Sequence, residues 1–250
     1  MASVGPDNAG NSAIQIPVEQ MSVQQVQTLT EYLGNFLTPE RKATIERVLA
    51  YRTRYITVAL EDIHMTHNAG AVLRNCDSFG IQNVHIIEQT TSFKVNLQVT
   101  RGCQKWLTMH RYAQQQGNTA HCLATLKTQG YCIVATTPHT QALELPNLPL
   151  DQPIALFFGN ELDGLSDTAL AQADIHLTIP MYGFSESFNI SVSTALCLQS
   201  ICDRLRQTTH PWQLSQTERQ TLRLQWYRNS CKNLQQLEAS FWKTNSQQFT

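Results

Sequence analysis

The chain has 250 residues, 42% of them hydrophobic, enough to bury a sizeable core as one domain with appendages. Its 18 Lys and Arg nearly balance its 19 Asp and Glu, no apolar run reaches the length of a membrane span, and no basic segment followed by an apolar block opens it, so we read it as soluble and cytoplasmic. The seven cysteines are scattered without a C-x-x-C pair, which argues against a disulfide frame and a structural zinc site.

Residues 1–28 are rich in Gln, Asn, Ser, Gly and Val without a durable period and read as a disordered polar arm. Residues 29–54 read as a basic helical extension. Thr38-Pro39 starts a helix there, with Ile45, Val48 and Leu49 at helical spacing and Arg41, Lys42, Arg47 and Arg52 on the other side. Tyr55 to Leu60 is a β-branched apolar run, predicted to be a strand buried on both faces. A polar loop leads into a helix predicted to start near Asn68 and stop at Gly80, and Asn83 to Glu88 is the next strand, completing a strand–helix–strand unit of the parallel kind. After a loop without clear period, Lys105-Trp106-Leu107 is expected to begin another strand.

Asn118 to Gln129 is a predicted helix ending at Gly130, and Tyr131 to Thr136 a strand; four prolines, 138, 146, 149 and 153, punctuate the connection that follows. Pro153 to Phe158 is the most apolar strand and runs into GNELDGLS, a Gly-bounded turn. Ser166 to Ala173 is a short helix, Ile175 to Ile179 the last strand, and a helix runs from about Asn189 to Arg206. Residues 55–206 thus form an α/β core with a mostly parallel sheet and helices on both faces. Residues 207–250 add a second basic helical extension, with Ser215 as its cap and Glu218 three residues on. Ligands in such folds sit at the carboxyl ends of strands, and the polar loops after YITVAL, PIALFF and IHLTI all lie there.

Charge is segregated. No Lys or Arg occurs between Thr128 and Asp203, where there are eight carboxylates, whereas residues 204–250 carry seven basic residues against two acidic ones. Basic flanks around an acidic middle fit a polyanion held by the periphery, with chemistry in the centre; solvated helix faces are the bland alternative.

NAGAVLRNCDSFG, FFGNELDGLS and IPMYGFSESFNISVSTAL together resemble the three ordered motifs of the SPOUT-class RNA methyltransferases of the SpoU/TrmH family, over roughly Glu40 to Arg206. The resemblance implies a trefoil knot in the C-terminal part of the core, a homodimer, and S-adenosylmethionine as cofactor, bound in the knot. It leans toward the tRNA branch that methylates a D-loop guanosine ribose. The long polar N-terminal arm and Glu186, where a Gln is common in that branch, depart from the pattern and leave the RNA target open, with ribosomal RNA as the alternative.

On this resemblance Arg74, Asn68, Glu161, Ser187 and Asn189 are the catalytic set, and Thr136, Gly159, Ile179, Met181 and Phe188 the cofactor pocket. Asn68 and Arg74, six residues apart on one helix, are expected to point toward one ligand. Arg74 suits a phosphate beside the reacting ribose because its planar fork makes two parallel hydrogen bonds, and a guanidinium is a poor base. The implied dimer would let Arg74 of one chain face the other chain's pocket. Gly159 would let the backbone approach a ligand closely, and Gly183 would let the third loop turn. For RNA we expect Arg41, His67, Arg101, Lys105, Arg111, Arg223 and Arg228 to serve. His64 and His67 lack a third ligand, and transfer from a sulfonium needs no metal, so none is expected. An inactive RNA-binding relative is disfavoured by the intact motif residues. An unrelated nucleotide-binding α/β enzyme should show a G-x-G-x-x-G or Walker loop, and neither is present.

Overall fold

A computed structural model describes residues 16–94, 97–114, 116–138 and 142–245. In chain order the elements are α1 (Val23–Gly34), α2 (Pro39–Leu49), β1 (Ile56–Glu61), α3 (Thr66–Phe79), β2 (Asn83–Ile87), α4 (Leu97–Thr100), β3 (Thr108–Tyr112), α5 (Asn118–Thr128), β4 (Cys132–Thr136), β5 (Leu143–Glu144), β6 (Ile154–Phe158), α6 (Asp167–Gln172), β7 (Ile175–Thr178), α7 (Ile190–Arg206), α8 (Gln216–Ser230) and α9 (Leu234–Asn245). They fall into two compact units. One gathers the helices before residue 50 and after Leu214; the other is Ala50–Leu214.

The larger unit is a seven-stranded sheet in the order β3-β2-β1-β6-β4-β7-β5, with every pairing parallel. β1 and β6 are buried along their whole length, as their continuous apolar runs require when both faces are covered. Ile56, Val58 and Leu60 point to one side, where α3 and α7 supply Val72, Leu73, Leu198 and Ile201. Ala59, Ala155 and Phe157 point to the other, where α5 supplies Leu123 and Leu126. At the amino end of the sheet Arg52 is fully buried, where it ion-pairs with Asp77 and donates from Nη1 to the Ile81 carbonyl at 3.0 Å. The expectation that Arg52 continues a basic helix face fails, because α2 stops at Leu49 and the chain turns inward.

In the smaller unit α1 carries Val26, Leu29 and Leu33 on its buried face, and Tyr32 meets Phe241 of α9 with ring centroids 5.2 Å apart. The expected disordered arm lies outside the described residues for 1–15, and for 16–28 it is overturned. Ser22 caps α1 and forms a capping box with Gln25, while Val18 is buried in a 3₁₀ turn. A glutamine-rich composition hid the helix because Gln does two jobs here, filling the capping box and occupying the exposed helix face.

Two other boundaries differ from the sequence reading. Cys103–Trp106 is a 3₁₀ turn entered through left-handed Gly102, with the Lys105 ammonium 4.7 Å from the Trp106 ring centre, and the strand begins only at Thr108. α3 begins two residues before Asn68, at Thr66, so Asn68 is a buried third helical residue and not a cap.

Candidate active site

At the carboxyl ends of β1, β4, β6 and β7 the sheet unit opens into a cleft of about 550 Å³. β6 ends at Phe158 and delivers the loop of residues 159–165. That loop is closed on itself: Asn160 N donates to the Gly164 carbonyl at 3.0 Å, Gly164 N returns a bond to Asn160 O at 3.2 Å, and Asn160 Oδ1 accepts from Leu162 N and Asp163 N at 2.9 and 2.7 Å. A Cβ on Gly159 would lie 2.0 Å from the Gly164 carbonyl carbon. Glycine is therefore demanded here by the loop's own backbone, before any ligand is considered.

The closed loop holds Glu161 at the cleft wall. One carboxylate oxygen accepts from Asn68 Nδ2 at 2.6 Å and the other from the backbone N–H of His64 at 3.3 Å. Asn68 Oδ1 in turn accepts from Asn189 Nδ2 at 3.1 Å. Asn189 is the N-cap of α7, its Oδ1 accepting from Ser191 N at 2.9 Å and Ser191 Oγ at 2.7 Å. The three loops singled out in the sequence are thus joined by one run of side-chain hydrogen bonds, Asn189 to Asn68 to Glu161. Both amides spend a donor and an acceptor on this chain, which fixes their orientation.

Of the residues expected at the site, Asn68, Glu161, Ser187, Asn189, Thr136, Gly159, Ile179, Met181 and Phe188 all line this cleft. Phe188 is 41% exposed and leaves an aromatic face accessible. Arg74 does not line it. Six residues at 100° each carry the side chain well off the Asn68 face of α3, and it is exposed. The expectation that both residues of one chain aim at one ligand therefore fails. Gly183 has no positive φ and open space where a Cβ would be, so the third loop does not require glycine to turn.

The residues expected to hold RNA divide sharply. Arg41, His67, Arg101 and Lys105 are exposed. Arg111 is exposed too but paired with Glu88, and in the smaller unit Arg223 grips Glu46, one of its two bonds being 2.7 Å from Nη2 to Oε2. Arg228 is only 8% exposed, donates from Nε to Glu238 at 2.6 Å and from Nη2 to the Ile16 carbonyl at 3.0 Å. It is an internal strut, and its expected RNA contact is withdrawn.

Two neighbours of the cleft were not singled out from sequence. Glu61 ends β1 and Asp62 follows it, both buried. Asp62 adopts a left-handed φ of 52° and accepts from the backbone N–H groups of Gln89, Thr90 and Thr91 at 3.1, 3.0 and 2.8 Å. Burial alone would raise its pKa, but these bonds and the Thr90 hydroxyl outweigh it, and the carboxyl titrates below its usual range. A pair of acids directly after an apolar strand was the available signal. Among the described residues no group of three His, Cys, Asp or Glu side chains is placed to hold a metal, and no helix is long and apolar enough to cross a membrane.

A parallel sheet with a polar cleft at its carboxyl edge, walled by three ordered loops, defines an α/β ligand-binding domain whose chemistry resides in those loops. Residues 55–199 match the model of the SpoU rRNA Methylase family, and the chain belongs to that family. It is 41% identical over 206 residues to a tRNA (guanosine(18)-2'-O)-methyltransferase of Borreliella burgdorferi, covering 82% of this chain and 93% of that one. A Thermus thermophilus protein of the same name is 34% identical over 161 residues, 64% of this chain and 81% of its own. Among solved structures the TrmH/SpoU tRNA modifying enzyme of A. aeolicus superposes with a TM-score of 0.69 at 26% identity, over 78% of this chain and 98% of that one.

Proposed function

We propose that this chain transfers a methyl group from S-adenosylmethionine to the 2'-hydroxyl of a guanosine ribose in tRNA. The observation that carries the reading is the Asn189–Asn68–Glu161 chain of hydrogen bonds, which gathers all three family motifs around one cleft. The names of the relatives supply the substrate.

The cleft fits a nucleoside-sized cofactor in size and lining: about 550 Å³ walled by Ile179, Met181 and Phe188, with Thr136 and the 159–164 loop at its rim. When bound, the cofactor supplies a methyl group already activated on a sulfonium. The protein's part is then orientation and handling of one proton. Phe188 and the aliphatic side chains hold the adenosyl group, Ser187 and Asn189 face the incoming ribose, and Glu161 keeps Asn68 in register. Arg74, exposed and outside its own chain's cleft, belongs to the cleft of a second copy, where it anchors a phosphate and stabilises charge on the ribose oxygen. The same reading includes the homodimer and the trefoil knot. Val192 and Leu196, one turn apart on α7, are exposed together with Tyr182 and Phe184 of the preceding loop, as a face covered by a second copy would be. Exposed Arg41, Arg101 and Lys105 take tRNA phosphates, and the enzyme works in the cytoplasm.

The test is incubation with isotopically labelled cofactor and separate tRNA and ribosomal RNA pools, followed by mapping of the 2'-O-methyl position. Label in a tRNA guanosine is expected. Label confined to ribosomal RNA would favour the second reading, which the family description itself suggests. The placement of Arg74 is tested by mixing inactive Arg74→Ala and Asn189→Ala chains: mixed dimers regain activity if each cleft draws on both copies, and stay inactive if Arg74 serves its own chain.

A further inference from the structure

We infer that Glu61, which touches neither ligand nor reacting atoms, is a positioning residue for methyl transfer, acting through the 159–165 loop. The inference rests on the reading above for its reaction and on the geometry for everything else.

Glu61 is the last residue of the central strand β1 and only 2% exposed. Its Oε2 accepts from the Ser166 backbone N–H at 2.8 Å; its Oε1 accepts from the Ser166 hydroxyl at 2.8 Å, from the Thr119 hydroxyl, and at 3.5 Å from Gln89 Nε2. Gln89 also donates to the Thr119 hydroxyl at 2.6 Å, so that group arrives already oriented. None of these donors is charged. A carboxylate taken out of water without a cation is expensive, and it persists only where neutral donors satisfy it fully. A core needing only stability at this point would be served as well by an apolar side chain.

What the carboxylate holds is the exit of the loop that carries Glu161. The loop enters from β6, is clasped shut by the Asn160–Gly164 pair of bonds, and leaves through Ser166, whose hydroxyl also caps α6 by accepting from Ala169 N at 3.2 Å. With its entry fixed by the sheet and its exit by Glu61, the loop has one position. Glu161 then meets Asn68 at 2.6 Å, and through Asn68 the start of α7. Replacing Glu61 by Gln sets an amide N–H against donors and frees the exit. A shift near 1 Å in a catalytic constellation is enough to lower a rate on the order of 100-fold.

The experiment uses the full chain with Glu61→Gln and, in case that variant folds poorly, Ser166→Ala, which removes the hydroxyl from the other side of the same contact. Tyr55→Phe is the control. It deletes the 2.8 Å bond from the Tyr55 hydroxyl to the Leu150 carbonyl, remote from the loop. Three quantities are read: Tm, kcat and KM for tRNA, and amide hydrogen exchange. We expect kcat to fall roughly 10-fold to 100-fold for Glu61→Gln and less for Ser166→Ala, with KM for tRNA within about twofold. Exchange should accelerate at residues 160–165 and not in β1, and Tyr55→Phe should lower Tm with kcat unchanged. Unchanged loop exchange, or a kcat loss no greater than that of the control at matched Tm, would overturn the inference. If the wild-type chain methylates no RNA while loop exchange responds to Glu61→Gln, the positioning role stands and the proposed reaction falls.

Discussion

Polar side chains are used differently in the two units. At the cleft of the sheet unit, buried Asn68 bonds to both Glu161 and Asn189, which stay at least partly exposed on the cleft wall, so internal bonding orients those two without hiding them. In the helical unit, Arg228 is buried on Glu238 and Arg223 is held by Glu46, so a cationic helix count overstates the charge available to a polyanion. A motif specifies spacing, and spacing on a strand end or helix start carries into space. A charge tally says nothing of whether a charge already has a partner on a neighbouring helix.

The strongest way to break this comparison is at Arg228. If it is an internal strut, Arg228→Ala leaves Glu238 buried and unpaired and lowers the stability of the chain by about 3–5 kcal/mol, while the double replacement Arg228→Leu with Glu238→Leu recovers most of it. Urea unfolding of the wild type and the two variants decides the matter; a stable Arg228→Ala chain with weakened tRNA binding would restore the surface role. Next in size is Asn68→Ala, which removes the middle of the hydrogen-bond run. We expect kcat to fall on the order of 100-fold, about 2.7 kcal/mol of transition-state stabilisation, with Tm shifted little. An intact kcat would show that the run is merely structural.

The smallest effect concerns pH and separates the units, because among the described residues every histidine lies in the sheet unit, at 64, 67, 85, 110, 121, 176 and 210. His85 on β2 stacks on His110 of β3 with ring centres 4.6 Å apart, and its pKa falls to about 3, first through burial and then through the charge of His110. His110 is shifted down as well, by burial and the charge of Arg54. The unfolded chain, with an ordinary imidazole pKa near 6.5, binds the proton that folded His85 refuses. Stability contributed by neutral His85 is therefore complete above about pH 6.5 and is lost as pH falls toward 3, by about 1.4 kcal/mol per pH unit. Urea midpoints at pH 7 and 5.5 should differ accordingly, and His85→Asn should shrink the difference. An equal loss in the variant would assign acid sensitivity to other groups.

Much of the fold was legible because its signals are local. Apolar runs marked β1 as a strand covered on both faces and β6 as the most apolar strand, Thr38-Pro39 and Ser215 marked helix starts, and Gly80 marked a helix stop. The cleft residues were legible for a related reason: Asn68, Gly159, Glu161 and Asn189 stand at fixed offsets from strand ends or helix starts, so motif order predicted their meeting. The first helix was not, since a capping box of Ser22 and Gln25 looks like any polar stretch until its apolar face finds Phe241.

The alternation of strands and helices, the three loops and the residue types on them follow from local pattern alone. Folding in three dimensions settles which charges face water, makes Arg52 and Arg228 internal, turns Arg74 away from its own cleft, and brings Glu61 to Ser166 across 105 positions of chain. The physical reason is that periodicity and capping act over a few residues of backbone. Pairing, burial and the satisfaction of a buried carboxylate depend on groups that become neighbours only when the sheet has formed.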